Sequence, residues 1–204
     1  MSDDRDTDRA WETPETTEAA SASEAATASE PSGLKHAAFV LTTSDRSAAG
    51  TRDDASGAAV AARLRSLGYT VDQAVVPDEQ PGIEAALRAA AATHALVVTT
   101  GGTGLTPRDV TPQATLAVID YEVPGLAEAM RAEGRRFTPM AALSRAVVGV
   151  AGRALVVNLP GSPRGATESL DAIVPVLDHA LDTLAGPYDH ATRSGGADGP
   201  DTTT

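Results

Sequence analysis

The chain of 204 residues has no cysteine, which excludes disulfides and thiolate metal centres. Histidine is scarce as well. His36, His94, His179 and His190 stand far apart, with no pairing at helical or strand spacing, and this argues against a zinc site. Aromatic residues make up 3% of the chain against 42% apolar residues overall. The core must therefore be built from alanine, valine and leucine, small side chains that let helices pack closely. No run of about eighteen apolar residues is present, as a membrane-spanning helix would need. The N-terminus is acidic and polar, where a secretory signal would have a basic start and an apolar middle, so a cytoplasmic protein is expected.

Positive charge is also in short supply, and its distribution matters more than the total of −12. Residues 1–33 hold nine acidic and two basic residues, and residues 187–204 hold three acidic and one basic. The stretch 34–186 carries sixteen acidic and thirteen basic residues and is nearly balanced. Without a basic face the chain is not expected to bind nucleic acid. Residues 1–33, rich in Asp, Glu, Thr, Ser and Ala, offer no apolar face and are expected to form a disordered acidic tail; residues 187–204 read the same way. One domain over 34–186 remains.

Within it, short apolar runs alternate with helical patterns, the mark of βαβ units and a mostly parallel sheet. Strands are expected over 35–42, 69–76 and 94–99, the last an apolar run suited to a central strand. Residues 147–149 and 154–158 suggest two more around Gly152. Helices are expected over 54–67, stopped by Gly68, and over 81–92. Thr111-Pro112, Thr138-Pro139 and Ser162-Pro163 read as helix starts, with a capping hydroxyl and a proline in the first turn. The last helix, 164–184, is expected to bend or break near Pro175. The fold expected is a three-layer α/β domain.

In such sheets ligands bind at the carboxyl ends of the strands, and several features collect there. Thr99-Thr100-Gly101-Gly102-Thr103-Gly104 leaves the backbone bare for a phosphate or a planar ring, though such a cluster also builds a tight turn. Its spacing fits neither a Walker loop nor the dinucleotide fingerprint. Asp109, a few positions on, suits a Mg²⁺ ligand or a group positioning a phosphate, and it also suits a turn. Asp78, after the second strand, could share a cation with Asp109, but on spacing alone it serves better as the cap of the next helix. Asn158-Leu159-Pro160-Gly161-Ser162-Pro163-Arg164 places free amides at a helix N-terminus, where anions bind. Ser44, Asp45 and Arg46 follow the first strand, and the Arg46 guanidinium can pair with a phosphate. Arg131, Arg135 and Arg136 read as a solvated helix face. These features describe an anion-binding edge with two carboxylates, and favour positioning and charge neutralisation around phosphoryl groups over covalent catalysis.

The string T-T-G-G-T-G-L-T-P-R-D-V-T-P-Q-A-T over 99–115 resembles the signature of the MogA/MoaB family of molybdopterin-binding proteins. S-D-R-S-A-A-G (44–50) with D-A-S-G (54–57), V-P-D-E (76–79), P-G-L-A-E-A-M-R (124–131), L-S-R-A (143–146) and L-V-V-N-L-P-G-S-P (155–163) match in order. The likeness covers about residues 35–186. It implies a three-layer α/β/α fold, commonly a trimer. It also implies adenylyl transfer from Mg²⁺-bound ATP to the terminal phosphate of molybdopterin, with molybdate inserted afterwards by another protein. By the same resemblance Asp78 and Asp109 match the two required aspartates, which displaces the capping role for Asp78. Gly101, Gly102, Thr103 and Gly104 match the loop that contacts nucleotide and pterin. Asn158, Pro160, Gly161 and Ser162 match a second binding loop, Ser144 and Arg145 a third segment, and Ser44, Asp45 and Arg46 the first motif. Some relatives keep the fold without the transfer, so a pterin carrier is the alternative; a pyrophosphatase like the competence-induced proteins is another.

Overall fold

The computed structural model describes residues 36–186, so the expectations for the two tails and for Lys35 and His190 lie outside the described residues. The first strands, β1 (Ala37–Thr43), β2 (Thr70–Val76) and β3 (Leu96–Thr100), alternate with helices α1 (Asp45–Ala48), α2 (Ala55–Ser66) and α3 (Gln80–Ala91). Then come α4 (Thr111–Leu116), β4 (Tyr121–Glu122), α5 (Pro124–Phe137) and a 3₁₀ turn, Pro139–Leu143. A hairpin of β5 (Val148–Ala151) and β6 (Ala154–Leu159) leads into α6 (Pro163–Ala185). One six-stranded sheet runs β2-β1-β3-β6-β5-β4. β2, β1, β3 and β6 are parallel; β5 runs antiparallel to β6, and β4 antiparallel to β5.

The strands bury both faces, and alternate residues enter different cores. Val40, Val98 and Val157 point towards α2, α5 and α6, packing with Val60, Leu64, Met130, Leu170 and Ile173. Their neighbours Leu41, Val97 and Val156 point the other way, towards Ile83 and Leu87 of α3 and Ala114 of α4. This gives the expected three layers. The period of two explains why β3 and β6 read as unbroken apolar runs: every position is inside.

From β1 the chain steps outward to β2, then returns across β1 to add β3 on its other side. The sheet therefore changes winding direction between β1 and β3, and the loops leaving these strands diverge to open a crevice. Thr43 and Thr100 end the two strands at that crevice.

The structure corrects the sequence reading at four places. Thr111 is not the cap of α4; Val110 precedes the helix, and the Thr111 hydroxyl instead bonds Thr43 Oγ1 at 3.0 Å. Thr138 does cap, its hydroxyl accepting from the Met140 amide, but the segment it opens is a single 3₁₀ turn. α6 runs unbroken through Pro175, which lies on the exposed face where the carbonyl it leaves without a partner can be hydrated. β4 is an additional strand of two exposed residues, too short for any periodicity to announce it. Among the described residues no helix is long and apolar enough to cross a membrane.

Candidate active site

The site is built at the carboxyl ends of the parallel strands. After β1, Ser44 caps the short α1 by accepting from the Ser47 amide at 3.3 Å. The loop after β2 is then fastened to it reciprocally. The Asp45 amide donates to the Asp78 carboxylate at 3.1 Å, and the Asp78 amide donates to the Asp45 carboxylate at 3.0 Å. Arg108 pairs with the other oxygen of Asp45. Asp78 does not cap α3: Glu79 stands at that position, with no side-chain bond to the helix. Asp109 accepts from both the amide and the hydroxyl of Thr106, at 2.8 and 2.6 Å. Asp45, Asp78 and Asp109 line one cleft of about 280 Å³ together with Arg46, Gly102 and Arg108.

The two carboxylates titrate in opposite directions. Burial is the main cause that raises Asp78 above the ordinary carboxylate range; the nearby charges of Asp45 and Asp109 add to it, against the Asp45 amide and Arg108. Burial also presses on Asp109, but the Thr106 hydroxyl and amide, the Gly104 amide and the Arg145 charge together outweigh it and lower the group.

Glycine is required where the loop after β3 turns into the crevice. Gly101 has φ +94° and Gly102 φ +63°, the left-handed region. A Cβ on Gly101 would stand 2.5 Å from the Thr43 carbonyl oxygen, and one on Gly102 would stand 2.2 Å from Thr111 Oγ1. A Cβ on Gly161 would lie 3.2 Å from Gly101 Cα, so the loops after β3 and β6 touch backbone to backbone.

A buried hydroxyl network supports this bare loop. Thr42 Oγ1 donates to Asp54 at 2.6 Å and lies 3.1 Å from Thr100 Oγ1, which in turn meets Ser56 at 3.2 Å. Asp54 also accepts from the Gly57 amide, capping α2. Asn158 is fully buried and its amide is committed. It donates to Thr99 Oγ1 at 3.0 Å and Thr115 Oγ1 at 2.8 Å and accepts from the Val147 amide at 3.2 Å. The Asn158 side chain thus joins β3, α4 and the segment before β5. Arg145 does similar work, donating to the Gly104 carbonyl at 2.6 Å and to the Asp109 carbonyl.

The two touching loops separate two further cavities. On one side lies a polar cleft of about 300 Å³, with Ser44, Arg46, Arg52, Asp54, Gly101 and Gly161 among its walls. On the other lies a largely apolar cavity of about 270 Å³, reached by Thr103, Gly104, Met140, Leu143, Ser144, Pro160 and Ser162. Every anticipated site residue except Asn158 therefore lines one of three adjoining cavities or, as Arg145 does, braces the loop between them. Arg164 turns away, donating to Glu168 at 2.6 Å with its guanidinium 5.6 Å from the Phe137 ring centre. Arg131 donates to the Ala146 carbonyl, and Arg136 pairs with Glu133.

Sequence reasoning missed the apolar wall. Met140 and Leu143 sit on a 3₁₀ turn without helical periodicity, and Glu168 lies within a long helix where nothing in its spacing singles it out. It also missed the roles of Thr43 and Thr111. The available signal was a pair of threonines ending each of two otherwise apolar strands, Thr42-Thr43 and Thr99-Thr100.

The donor set suits Mg²⁺. Among the described residues no cluster of three acidic or histidine side chains is arranged as a closed cage. Hard carboxylate oxygens on one cleft are what Mg²⁺ takes when it keeps waters and is shared with phosphates. The buried, charge-crowded carboxyl of Asp78 would be relieved by a cation there.

Residues 39–179 match a family described as "probable molybdopterin binding domain". Molybdopterin adenylyltransferase from Helicobacter pylori is 37% identical over 156 residues, covering 73% of this chain and 88% of that one. The structure of the molybdopterin biosynthesis enzyme MoaB from Thermus thermophilus is 50% identical, with a TM-score of 0.67 over 74% of this chain and 97% of that one. The molybdopterin biosynthesis Mog protein of Mycobacterium ulcerans is 42% identical, with a TM-score of 0.69 over 74% and 98%. By sequence and by fold, this chain belongs to the molybdopterin-binding MogA/MoaB family.

Proposed function

We propose that the chain is a molybdopterin adenylyltransferase of molybdenum cofactor biosynthesis, worked by the domain of residues 34–186. An oxygen of the terminal phosphate of molybdopterin forms a bond to the α-phosphorus of ATP. The bond from that phosphorus to the β-phosphate oxygen breaks, and pyrophosphate leaves with adenylyl-molybdopterin as the other product. The observation that carries this reading is the meeting of Asp78 and Asp109 on one cleft beside the bare backbone at Gly101 and Gly102. Relatives named molybdopterin adenylyltransferase, at 37–40% identity, support it.

In this reading Asp78 and Asp109 hold Mg²⁺, which neutralises phosphate charge when bound. Arg46 and the amide of Gly102 take the triphosphate in the polar clefts. The amides of Gly161 and Ser162, at the N-terminus of the long helix α6, take the terminal phosphate of molybdopterin. The apolar cavity walled by Thr103, Gly104, Ser144 and Pro160 takes the pterin. Catalysis then consists of holding two anions in line and screening their repulsion. The same proposal includes a cytoplasmic homotrimer that passes its product to the molybdate-inserting protein, and sedimentation at three chain masses checks the assembly.

Pyrophosphate release from Mg²⁺·ATP and molybdopterin tests the activity. Asp109→Asn is expected to lower the rate by about a hundredfold with the fold intact, and unchanged turnover removes Asp109 from the mechanism. The carrier reading rests on the apolar cavity, which Asp78 and Asp109 do not line. A carrier would show no rise in thermal stability with Mg²⁺·ATP, whereas a ligand that binds only the folded state raises it.

A further inference from the structure

We propose that Glu168 reads the aminopyrimidinone edge of the pterin and so determines which ring the apolar cavity accepts. This rests on the proposed function, in which a pterin phosphate is one of the two substrates. Among the described residues Glu168 is the one charged side chain lining that cavity. Its side chain is 21% exposed, and it is held from outside: Arg164 Nε reaches Oε1 at 2.6 Å, while the Arg164 side chain stays 78% exposed and lies against Phe137. The carboxylate keeps further acceptor positions on both oxygens, since each has two lone pairs.

Three of the five hydroxyl-bearing residues on the wall have a different character. Thr138 Oγ1 accepts from the Met140 amide, Ser144 Oγ from the Ala146 amide, and Ser162 Oγ from the Gly165 amide. With a lone pair of each engaged in this way, their hydroxyl hydrogens are left to donate. The cavity thus presents apolar faces, the hydroxyl-bearing residues Thr103, Thr138, Ser144, Ser162 and Ser169, and a single carboxylate-bearing residue. A flat ring with acceptors on its rim and two adjacent donors on one edge complements it. An aminopyrimidinone has that edge, because its ring N–H and exocyclic NH₂ lie side by side and match the two oxygens of a carboxylate. Adenine does not, because its exocyclic NH₂ stands beside an unprotonated ring nitrogen whose lone pair would face the carboxylate. Glu168 therefore directs the pterin to the apolar cavity and the adenine of ATP elsewhere. A ring that replaces the NH₂ by an oxo group loses one donor and sets an oxygen against the carboxylate.

Pterin and lumazine differ in that group, and both fluoresce. Fluorescence titration of the full chain is expected to show pterin bound about tenfold or more tightly than lumazine. Glu168→Gln keeps the shape, but its amide donates as well as accepts, so the preference is expected to vanish or invert, with the melting temperature unchanged. A general structural role for Glu168 would weaken both rings alike and leave their ratio. If the wild-type chain prefers pterin and the variant keeps the same preference, the role of Glu168 is overturned while the pterin cavity stands. If the wild-type chain binds neither ring, the cavity's assignment to a pterin fails, and the role of Glu168 fails with it.

Discussion

Replacing Gly102 by alanine tests whether the glycine loop is held by steric contact with the buried threonines. The perturbation has two parts. Alanine at φ +63° costs about 1–2 kcal/mol relative to glycine. The new Cβ would also stand 2.2 Å from Thr111 Oγ1 and 3.1 Å from Thr43 Oγ1. Neither oxygen is the end of a flexible chain; both are fixed on buried β-branched side chains that bond each other at 3.0 Å. Relief requires breaking that bond, about 1 kcal/mol, or shifting the loop away from α4. Gly102→Ala should therefore lose about 2–4 kcal/mol of stability, read by urea denaturation with circular dichroism. Thr111→Ala removes the obstructing hydroxyl and should itself cost about 1–2 kcal/mol. In the double variant the clash is gone, so the two losses should not add, with a coupling of about 1 kcal/mol or more. A single variant within about 0.5 kcal/mol of wild type, or losses that add, would refute the tethering argument.

The opposite shifts of Asp78 and Asp109 give opposite pH dependences. A raised folded-state pKa means that folding favours the protonated form of Asp78, so its contribution is present in acid and lost as pH rises through the folded value. Asp78→Asn is therefore expected to be slightly more stable than wild type at neutral pH, the gain fading below the ordinary carboxylate range, even as adenylyl transfer is lost. For Asp109 the contribution is full above that range and lost as pH falls, so Asp109→Asn should be the less stable variant at neutral pH; denaturation at a series of pH values reads both, and equal curves at every pH would count against the assigned environments. Asn158→Ala leaves two buried hydroxyls and an amide without their central partner, and a loss of about 3 kcal/mol is expected; an effect under about 1 kcal/mol would mean that the network rearranges cheaply. Gly161→Ala, at a position whose φ is not left-handed, should lower stability little but displace the backbone of Gly101, weakening the thermal response to Mg²⁺·ATP; an unchanged response would show that the two loops yield independently.

The parts of the fold that repeat were legible in the sequence. The apolar runs of β3 and β6 announced buried strands because both faces of the sheet are covered, and Ser162-Pro163 announced α6 because the cap and the proline act locally. Helix α4 misled because its leading threonine is spent on a partner 68 residues away, which no local rule registers. Pro175 misled because a helix tolerates proline where the freed carbonyl faces water, and exposure is a property of the packed molecule. The glycines and Asp109 could be placed at the strand ends from their spacing, whereas spacing made Asp78 a helix cap and only the family resemblance moved it to the cleft. The division of labour within the site was not legible. Asn158 stands in a binding-loop string yet turns inward, and Glu168 stands on a helix but reaches a cavity wall built by a turn 25 or more residues upstream.

The contact between Gly101 and Gly161 has a consequence for how this enzyme can diversify. Where the loops after β3 and β6 meet, the boundary between the polar cleft and the apolar cavity is main chain, so at that point it has no side chains to trade. Under the proposed function, selectivity for a different ring would come from the outer walls, the turn at Pro139–Leu143 and the first turns of α6, while that boundary stays as it is.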